Sequence, residues 1–500
     1  MKFFYGISFL LALFFGVSEI FPAEKKPNII FIMSDDHTAE AISCYSELAP
    51  HLKGVVQTPN IDRIAEEGMR FDRVFCNFSL CSPSRASIMT GQYSHRTGVR
   101  MLNGRILESC NWVSEELQKA GYKTALIGKW HLQNVPKGFD HYCIVKEQGD
   151  YFDPLFITPE GEEKCKGYAT DVYTDKALQW LESVRETSSE KDAPFCLMLH
   201  YKATHYPFDY PPRYENLYEG KEIPEPENMY EDRQQSSPLL KARTPSIVSL
   251  YYPLHKDDKS PLMKKPENDS PDAITKVGYQ HIMHKYLRCA KCVDENVGRV
   301  LAYLDENGLT KNTVIIYTSD QGYWLGQHGL YDKRIILDES IRMPFVVRYP
   351  KEIPSGSVCG ELISNVDFAQ TLMDFAGIKE KDVPENMQGY SFRSLMRGEV
   401  PARWREGLFY CYTSQPAHWG VRTKQYTLAC FPDTEKVELY DNFKDPRQNV
   451  NVAENPEYAE VLKEMKAVLA RVMEEIEIDK TRLPGGVNQY ENDCGEEAPL

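Results

Sequence analysis

Short apolar runs that alternate with amphipathic stretches constrain this chain more than any other feature. Asn28-Ile29-Ile30-Phe31-Ile32-Met33, Lys123-Thr124-Ala125-Leu126-Ile127-Gly128, Phe195 to His200 and Thr313 to Thr318 read as strands without a polar face, and Asn60 to Gly68 as a helix closed by glycine. A strand that is apolar throughout has to be covered on both sides. With helices between the strands, that implies an α/β fold built on a large mixed, mostly parallel sheet with helices on both faces. At 500 residues, with 12% aromatic and 42% hydrophobic side chains, the chain can fill such a core and still supply a smaller second unit.

In sheets of this kind, sites form outside the carboxyl ends of the strands. The first strand runs into Ser34-Asp35-Asp36-His37 and the late one into Ser319-Asp320-Gln321-Gly322. Three carboxylates and an amide are hard oxygen donors suited to Ca2+ or Mg2+, and without a cation they repel one another. Asp35-Asp36 alone reads rather as a helix cap or solvated turn; the second strand end reverses that order. A third strand ends in Gly128-Lys129-Trp130-His131, where an extended backbone puts Lys129 and His131 on one face, and Lys202-Ala203-Thr204-His205 follows the Phe195 strand. A lone histidine is more often structural than catalytic, so these gain weight only by converging on one edge.

Residues 81 to 91, Cys81-Ser82-Pro83-Ser84-Arg85-Ala86-Ser87-Ile88-Met89-Thr90-Gly91, read plainly as a buried cysteine, a turn and a helix start. They also resemble the Cys-x-Pro-x-Arg signature of the type I sulfatases of the alkaline phosphatase superfamily. Further blocks extend the resemblance over most of residues 27 to 350: Gly121-Tyr122-Lys123-Thr124 with Gly128-Lys129-Trp130-His131, and Thr318 to Gly322 through Leu325-Gly326-Gln327-His328-Gly329 and Lys333-Arg334 to Glu339-Ser340-Ile341-Arg342-Met343-Pro344. The resemblance implies an alkaline phosphatase-like fold, and conversion of Cys81 to formylglycine (3-oxoalanine) by a sulfatase-maturating enzyme. It also implies a calcium ion, with magnesium the alternative, held by Asp35, Asp36, Asp320 and Gln321 beside residue 81. Gln321 stands where family members often carry asparagine. Arg85 and Lys129 would bind the aldehyde hydrate, Lys129 and Lys333 the sulfate oxygens, His205 would protonate the leaving alcohol, and His131 would take a proton from the hydrate.

The implied activity is hydrolysis of the sulfate ester of a sulfated carbohydrate. A phosphonate or phosphate monoester hydrolase of the same superfamily is the alternative, and a catalytically inactive glycan-binding protein a third reading. The C-terminal part points the same way. Trp419-Gly420-Val421-Arg422-Thr423, preceded by His418, resembles a segment of bacterial carbohydrate sulfatases, N-acetylglucosamine-6-sulfatases among them, which implies His418 as a sugar contact.

The remaining expectations concern organisation and location. Lys2, the apolar run Phe3 to Val17 and Ala23 have the pattern of a signal peptide over residues 1–23, implying an exported protein, periplasmic or secreted, with no stable membrane anchor. The formal charge of −15 excludes nucleic acid as the main partner but not a small anionic substrate. Thirteen cysteines give no deducible pairing, and Cys289-Ala290-Lys291-Cys292 fits a helix core better than a metal site. The expected units are a catalytic domain over 24–398 with a cleft insert at 206–276, an α+β subdomain at 399–490 made of an antiparallel sheet and one helix, and an acidic tail at 491–500.

Overall fold

The apolar runs become neighbouring strands of one sheet in the computed structural model, which describes residues 25–187, 193–230, 237, 246–251, 265–414, 417–432, 436–478 and 483. Its strands are β1 (Asn28–Asp35), β2 (Met69–Phe71), β3 (Lys123–Lys129), β4 (His141–Val145), β5 (Leu155–Thr158), β6 (Gly161–Lys164), β7 (Phe195–Thr204), β8 (Thr313–Ser319), β9 (Phe345–Arg348) and β10 (Ser357–Cys359). They lie in the order β10-β2-β9-β8-β1-β7-β3-β4-β5-β6. From β8 to β4 the strands are parallel. The flanking β9, β5 and β6 run antiparallel to their inner neighbours.

The absence of a polar face is explained by where the side chains go. Along β1, Ile29, Phe31 and Met33 enter one core while Ile30 and Ile32 enter the other. Helices α1 (Pro59–Glu66), α3 (Ala169–Thr187) and α4 (Pro271–Glu306) contribute to the second core, α2 (Cys81–Thr90) and α5 (Asp367–Phe375) to the first. Register brings the carboxyl ends level: Ser34 lies opposite Ser319, and Asp35 opposite Thr204. Gly128, at φ +106, lets β3 approach β7, since a Cβ there would lie 2.0 Å from the His200 carbonyl oxygen.

Strands β11 (Leu408–Tyr412), β12 (His418–Arg422), β13 (Tyr426–Cys430) and β14 (Val437–Asp441) form an antiparallel sheet in that order. Phe409, Cys411, Val421, Leu428 and Leu439 pack with Met465, Val468, Leu469 and Val472 of α6 (Ala459–Glu475). Residues alternating with them, Leu408, Tyr410, Tyr412, Ala429 and Tyr440, join the core of the main sheet. Burying an aliphatic or aromatic side chain of this size contributes about 1.5–3 kcal/mol, so the small sheet is held from both faces.

Two expectations about boundaries change. The helix that carries Cys289 and Cys292 starts at Pro271, where Ser270 Oγ accepts from the Ala273 amide; residues 271–276 of the expected insert therefore belong to it. The strand read over Phe195 to His200 runs on to Thr204, which places Lys202 inside the sheet. Cys289 and Cys292 are buried in α4, and none of the twelve described cysteines is in a disulfide. The expected leader 1–23, the tail 491–500 and residues 231–236, 238–245 and 252–264 of the insert lie outside the described residues. Among the described residues, no helix is long and apolar enough to cross a membrane.

Candidate active site

Cys81 opens α2 directly under the carboxyl edge of the sheet. Its thiol, 1% exposed, donates to Asp35 Oδ1 at 3.4 Å and lies 3.5 Å from Gln321 Nε2 and 3.6 Å from Lys333 Nζ. Arg85, one helical turn on, shares that face. Its Nε donates to Asp320 Oδ2 at 3.0 Å and its Nη1 to the Lys129 carbonyl at 2.7 Å. Serines fasten the rest of the helix: Ser82 Oγ donates to the His131 carbonyl at 2.6 Å, and Ser84 Oγ donates to the Asp320 carbonyl while accepting from Asn365 Nδ2 at 2.9 Å. Every residue of α2 is buried, which explains why a helix start so rich in serine has no solvent face.

Asp35, Asp36 and Asp320 each present a carboxylate oxygen within 4.8 Å of the others. Three cations meet them: Lys129 donates to Asp35, Lys333 donates to both oxygens of Asp36 at 2.7 and 2.6 Å, and Arg85 holds Asp320. Burial raises the Asp36 carboxyl to about 6, with Lys333 opposing and Asp320 adding. The residues fit a hard cation. Beyond the three carboxylates, Gln321 Oε1 is buried without a partner while Nε2 lies 2.6 Å from Asp36 Oδ1, so a half-turn of the amide presents its oxygen to the same cluster.

The thiol itself is a poor nucleophile here. Burial pushes Cys81 up to about 12, Asp320 and Asp36 add to the shift, and Lys333 only partly opposes it. Both histidines are held neutral: burial, then the charges of Lys129, Lys333 and Lys202, keep His205 well below its ordinary value, and burial with Lys129 and Arg85 does the same for His131. His205 Nδ1 lies 2.6 Å from the Tyr206 carbonyl, and Nε2 3.7 Å from Asp36 Oδ2.

The structure thus brings together Asp35, Asp36, Cys81, Arg85, Lys129, His131, His205, Asp320, Gln321 and Lys333, with two differences from the sequence reading. Strand β3 ends at Lys129 and His131 takes φ +57, so the pair reaches the site through a left-handed turn and not along one extended face. His418 is seated elsewhere. Its ring is fully buried among Tyr410, Tyr412 and Phe431, and its Nε2 accepts from the Ile336 amide at 3.1 Å. A ring enclosed in this way offers no face to a sugar, and the expected sugar contact is corrected to a tie between β12 and the segment carrying Lys333.

Sequence reasoning missed Gln148, which accepts from Lys129 through Oε1 and from Lys202 through its backbone carbonyl. The loop after β4 carries no motif that marks it. Ser82, Ser84 and Asn365 were missed for a different reason, since isolated serines and asparagines look like turn residues.

His37, just beyond the aspartate pair, gives a stability prediction. It is fully buried, and burial lowers it from 6.5 to about 4. Between those pH values the unfolded chain takes up a proton that the folded chain refuses, so stability falls as pH falls, by roughly 3 kcal/mol from this residue. Urea unfolding followed from pH 7 to 4 should show that slope, and His37→Gln should flatten it; an unchanged slope in the variant would refute the assignment.

Comparison with known proteins gives consistent findings. A family model described as Sulfatase matches residues 27–378, and one described as the C-terminal part of N-sulphoglucosamine sulphohydrolase matches residues 326–475. The N-acetylglucosamine-6-O-sulfatase of Bacteroides thetaiotaomicron is 39% identical over 492 residues, covering 89% of this chain and 86% of its own. A structure solved in complex with its substrate D-glucosamine-2-N,6-O-disulfate superposes with a TM-score of 0.82 at 37% identity, covering 92% of this chain and 99% of that one. The phosphonate monoester hydrolase of Agrobacterium radiobacter shares the fold, with a TM-score of 0.70 at 20% identity over 90% of this chain and 96% of its own.

Proposed function

Because the chain belongs to the sulfatase family, we propose that it hydrolyses the 6-O-sulfate of a glucosamine-type sugar, using formylglycine formed from Cys81 and a bound calcium ion. One observation carries the reading: three carboxylates, an amide with an unpartnered oxygen and three cations converge on the one cysteine that opens a fully buried helix. The relative at 39% identity supports the sugar and the position of the sulfate.

A cation held by Asp35, Asp36, Asp320 and the Gln321 oxygen supplies positive charge against the sulfate oxygens. An aldehyde hydrate at residue 81 supplies one hydroxyl for attack at sulfur and a second for release of the product. The other parts fall to side chains in place. Arg85, fixed between Asp320 and the Lys129 carbonyl, orients residue 81. Lys129 and Lys333 hold the sulfate oxygens once their carboxylates are engaged by the ion; a hydrogen bond to a charged group contributes about 1.5–3 kcal/mol. His205 protonates the leaving oxygen. To donate to the Tyr206 carbonyl its Nδ1 must carry a proton, so Nε2 is the nitrogen that gains and loses one, and the negative charge of a bound sulfate ester favours the gain. His131 is neutral, with Nδ1 buried and unpartnered, and is suited to take a proton from residue 81.

The leader-like residues 1–23 support export to the periplasm or beyond, with a maturating enzyme acting on Cys81 as the one protein partner required. A phosphonate hydrolase has only the shared fold in its favour at 20% identity. An inactive glycan-binding protein would lack pieces of the site, and the matched positions are intact. A panel of sulfated monosaccharides should show release of sulfate from N-acetylglucosamine 6-sulfate or glucosamine 6-sulfate well above the 2-, 3- and 4-sulfated isomers. Faster turnover of phosphate or phosphonate esters than of every sulfate ester would overturn the proposal.

A further inference from the structure

Four cations border the reaction centre, and three of them are matched by carboxylates. Arg85 pairs with Asp320, Lys129 with Asp35 and Lys333 with Asp36. Lys202 is different. It is 3% exposed, and among the described residues its Nζ donates to one acceptor, the Gln148 carbonyl at 3.1 Å, and lies over the Tyr151 ring 4.8 Å from its centroid. An ammonium has three donors, and burying it with one hydrogen bond and no counter-charge costs free energy. Burial draws Lys202 down to about 8 even though Asp150, Cys81 and Asp209 act in the opposite sense at longer range. An anion delivered by a ligand would complete this group.

The contacts show which groups are already engaged. Cys81 touches Asp35, Asp35 holds Lys129, Lys129 reaches Gln148, and Gln148 holds Lys202. Among the described residues Lys202 therefore meets the cations around residue 81 through Gln148, with no hydrogen bond to residue 81, Asp35, Asp36 or Asp320, which leaves its charge for a second anion. It lies on β7, just before His205, the residue assigned to the leaving alcohol. Resting on the function proposed above, we infer that Lys202, braced by Gln148, binds a second sulfate group carried elsewhere on the sugar that departs as the alcohol.

The test compares wild type with Lys202→Met, both loaded with calcium and checked by mass for the same conversion of residue 81. The substrates are glucosamine 2-N,6-O-disulfate and N-acetylglucosamine 6-sulfate. The ratio of kcat/KM for the disulfate over the monosulfate should fall about tenfold or more in the variant, the size of one charge-assisted hydrogen bond, mainly through KM. Lys202→Arg should recover part of it. An unchanged ratio overturns the inference, and so does an equal loss on both sugars, which would make Lys202 one of the groups holding the transferred sulfate. Calorimetric binding of the same two sugars to the Cys81→Ala protein, with and without Lys202→Met, reads Lys202 separately from turnover. A preference for the disulfate that disappears with Lys202→Met supports it; no preference in the Cys81→Ala parent overturns it. Failure of the proposed function would appear instead in the wild type, as turnover of other esters above every sulfate ester.

Discussion

Cys81→Ala should abolish turnover, by about 10^4-fold or more, while leaving the sugar sulfate able to bind. The expectation follows from the environment of the thiol. Burial, with Asp320 and Asp36 adding, pushes the Cys81 thiol up to about 12 beside Asp35, which makes it a poor nucleophile. On the function proposed above, its chemistry comes from the formylglycine it becomes. Alanine preserves the helix start and removes the only atom that can be converted, while Arg85, Lys129 and Lys333 keep their contacts with Asp320, Asp35 and Asp36. Peptide mass spectrometry across residues 81 to 85 completes the test: active wild-type protein should carry an aldehyde at residue 81, and active protein with an intact thiol would refute the assignment. So would turnover by the alanine variant within tenfold of wild type.

Removing the cation should be nearly as severe. Asp35, Asp36 and Asp320 within 4.8 Å of one another are an arrangement that an ion stabilises and that its loss leaves balanced only by lysine and arginine. Exhaustive chelation should cost about 10^3-fold or more in kcat/KM, restored by Ca2+, because the charge opposing the sulfate oxygens disappears. It should also show in stability, since a ligand at a hundred times its Kd adds about 2.7 kcal/mol to the folded state. Calorimetry should therefore give a Tm that rises with Ca2+ in wild type and stays flat in Asp320→Asn, which loses one ligand and weakens the hold on Arg85. Full activity after chelation, with no calcium-dependent Tm, would refute the metal site.

The sheet and the strand-end chemistry were legible because the same physics writes both. A strand covered on two faces must be apolar along its length, as Ile29 to Met33 are, and its first polar residues then fall where the sheet ends and the site begins. That is why Asp35, Asp36, Asp320 and Lys129 stood out. What stayed hidden depends on tertiary contacts with no periodic signature. Gln148 sits in a loop, the His131 turn needs a left-handed backbone that a histidine does not advertise, and Lys202 looked like loop because the apolar run of β7 had stopped two residues earlier. His418 misled for the opposite reason. A polar residue beside a familiar segment suggested a ligand, whereas Tyr410, Tyr412 and Phe431 enclose it and the Ile336 amide takes its nitrogen.

With the proposed conversion of Cys81, the complete burial of α2 implies an order of events in the cell. The maturating enzyme proposed above would have to reach residues 81 to 85, and in the folded chain all of them are helical and enclosed. Conversion and folding would then compete for the same segment. A chain that folded first would be sealed with an unconverted thiol, out of reach of the modifying enzyme until it unfolded. The specific activity of a preparation would then record the outcome, chain by chain, and two batches of identical sequence and equal stability should differ in activity by the fraction converted before α2 closed.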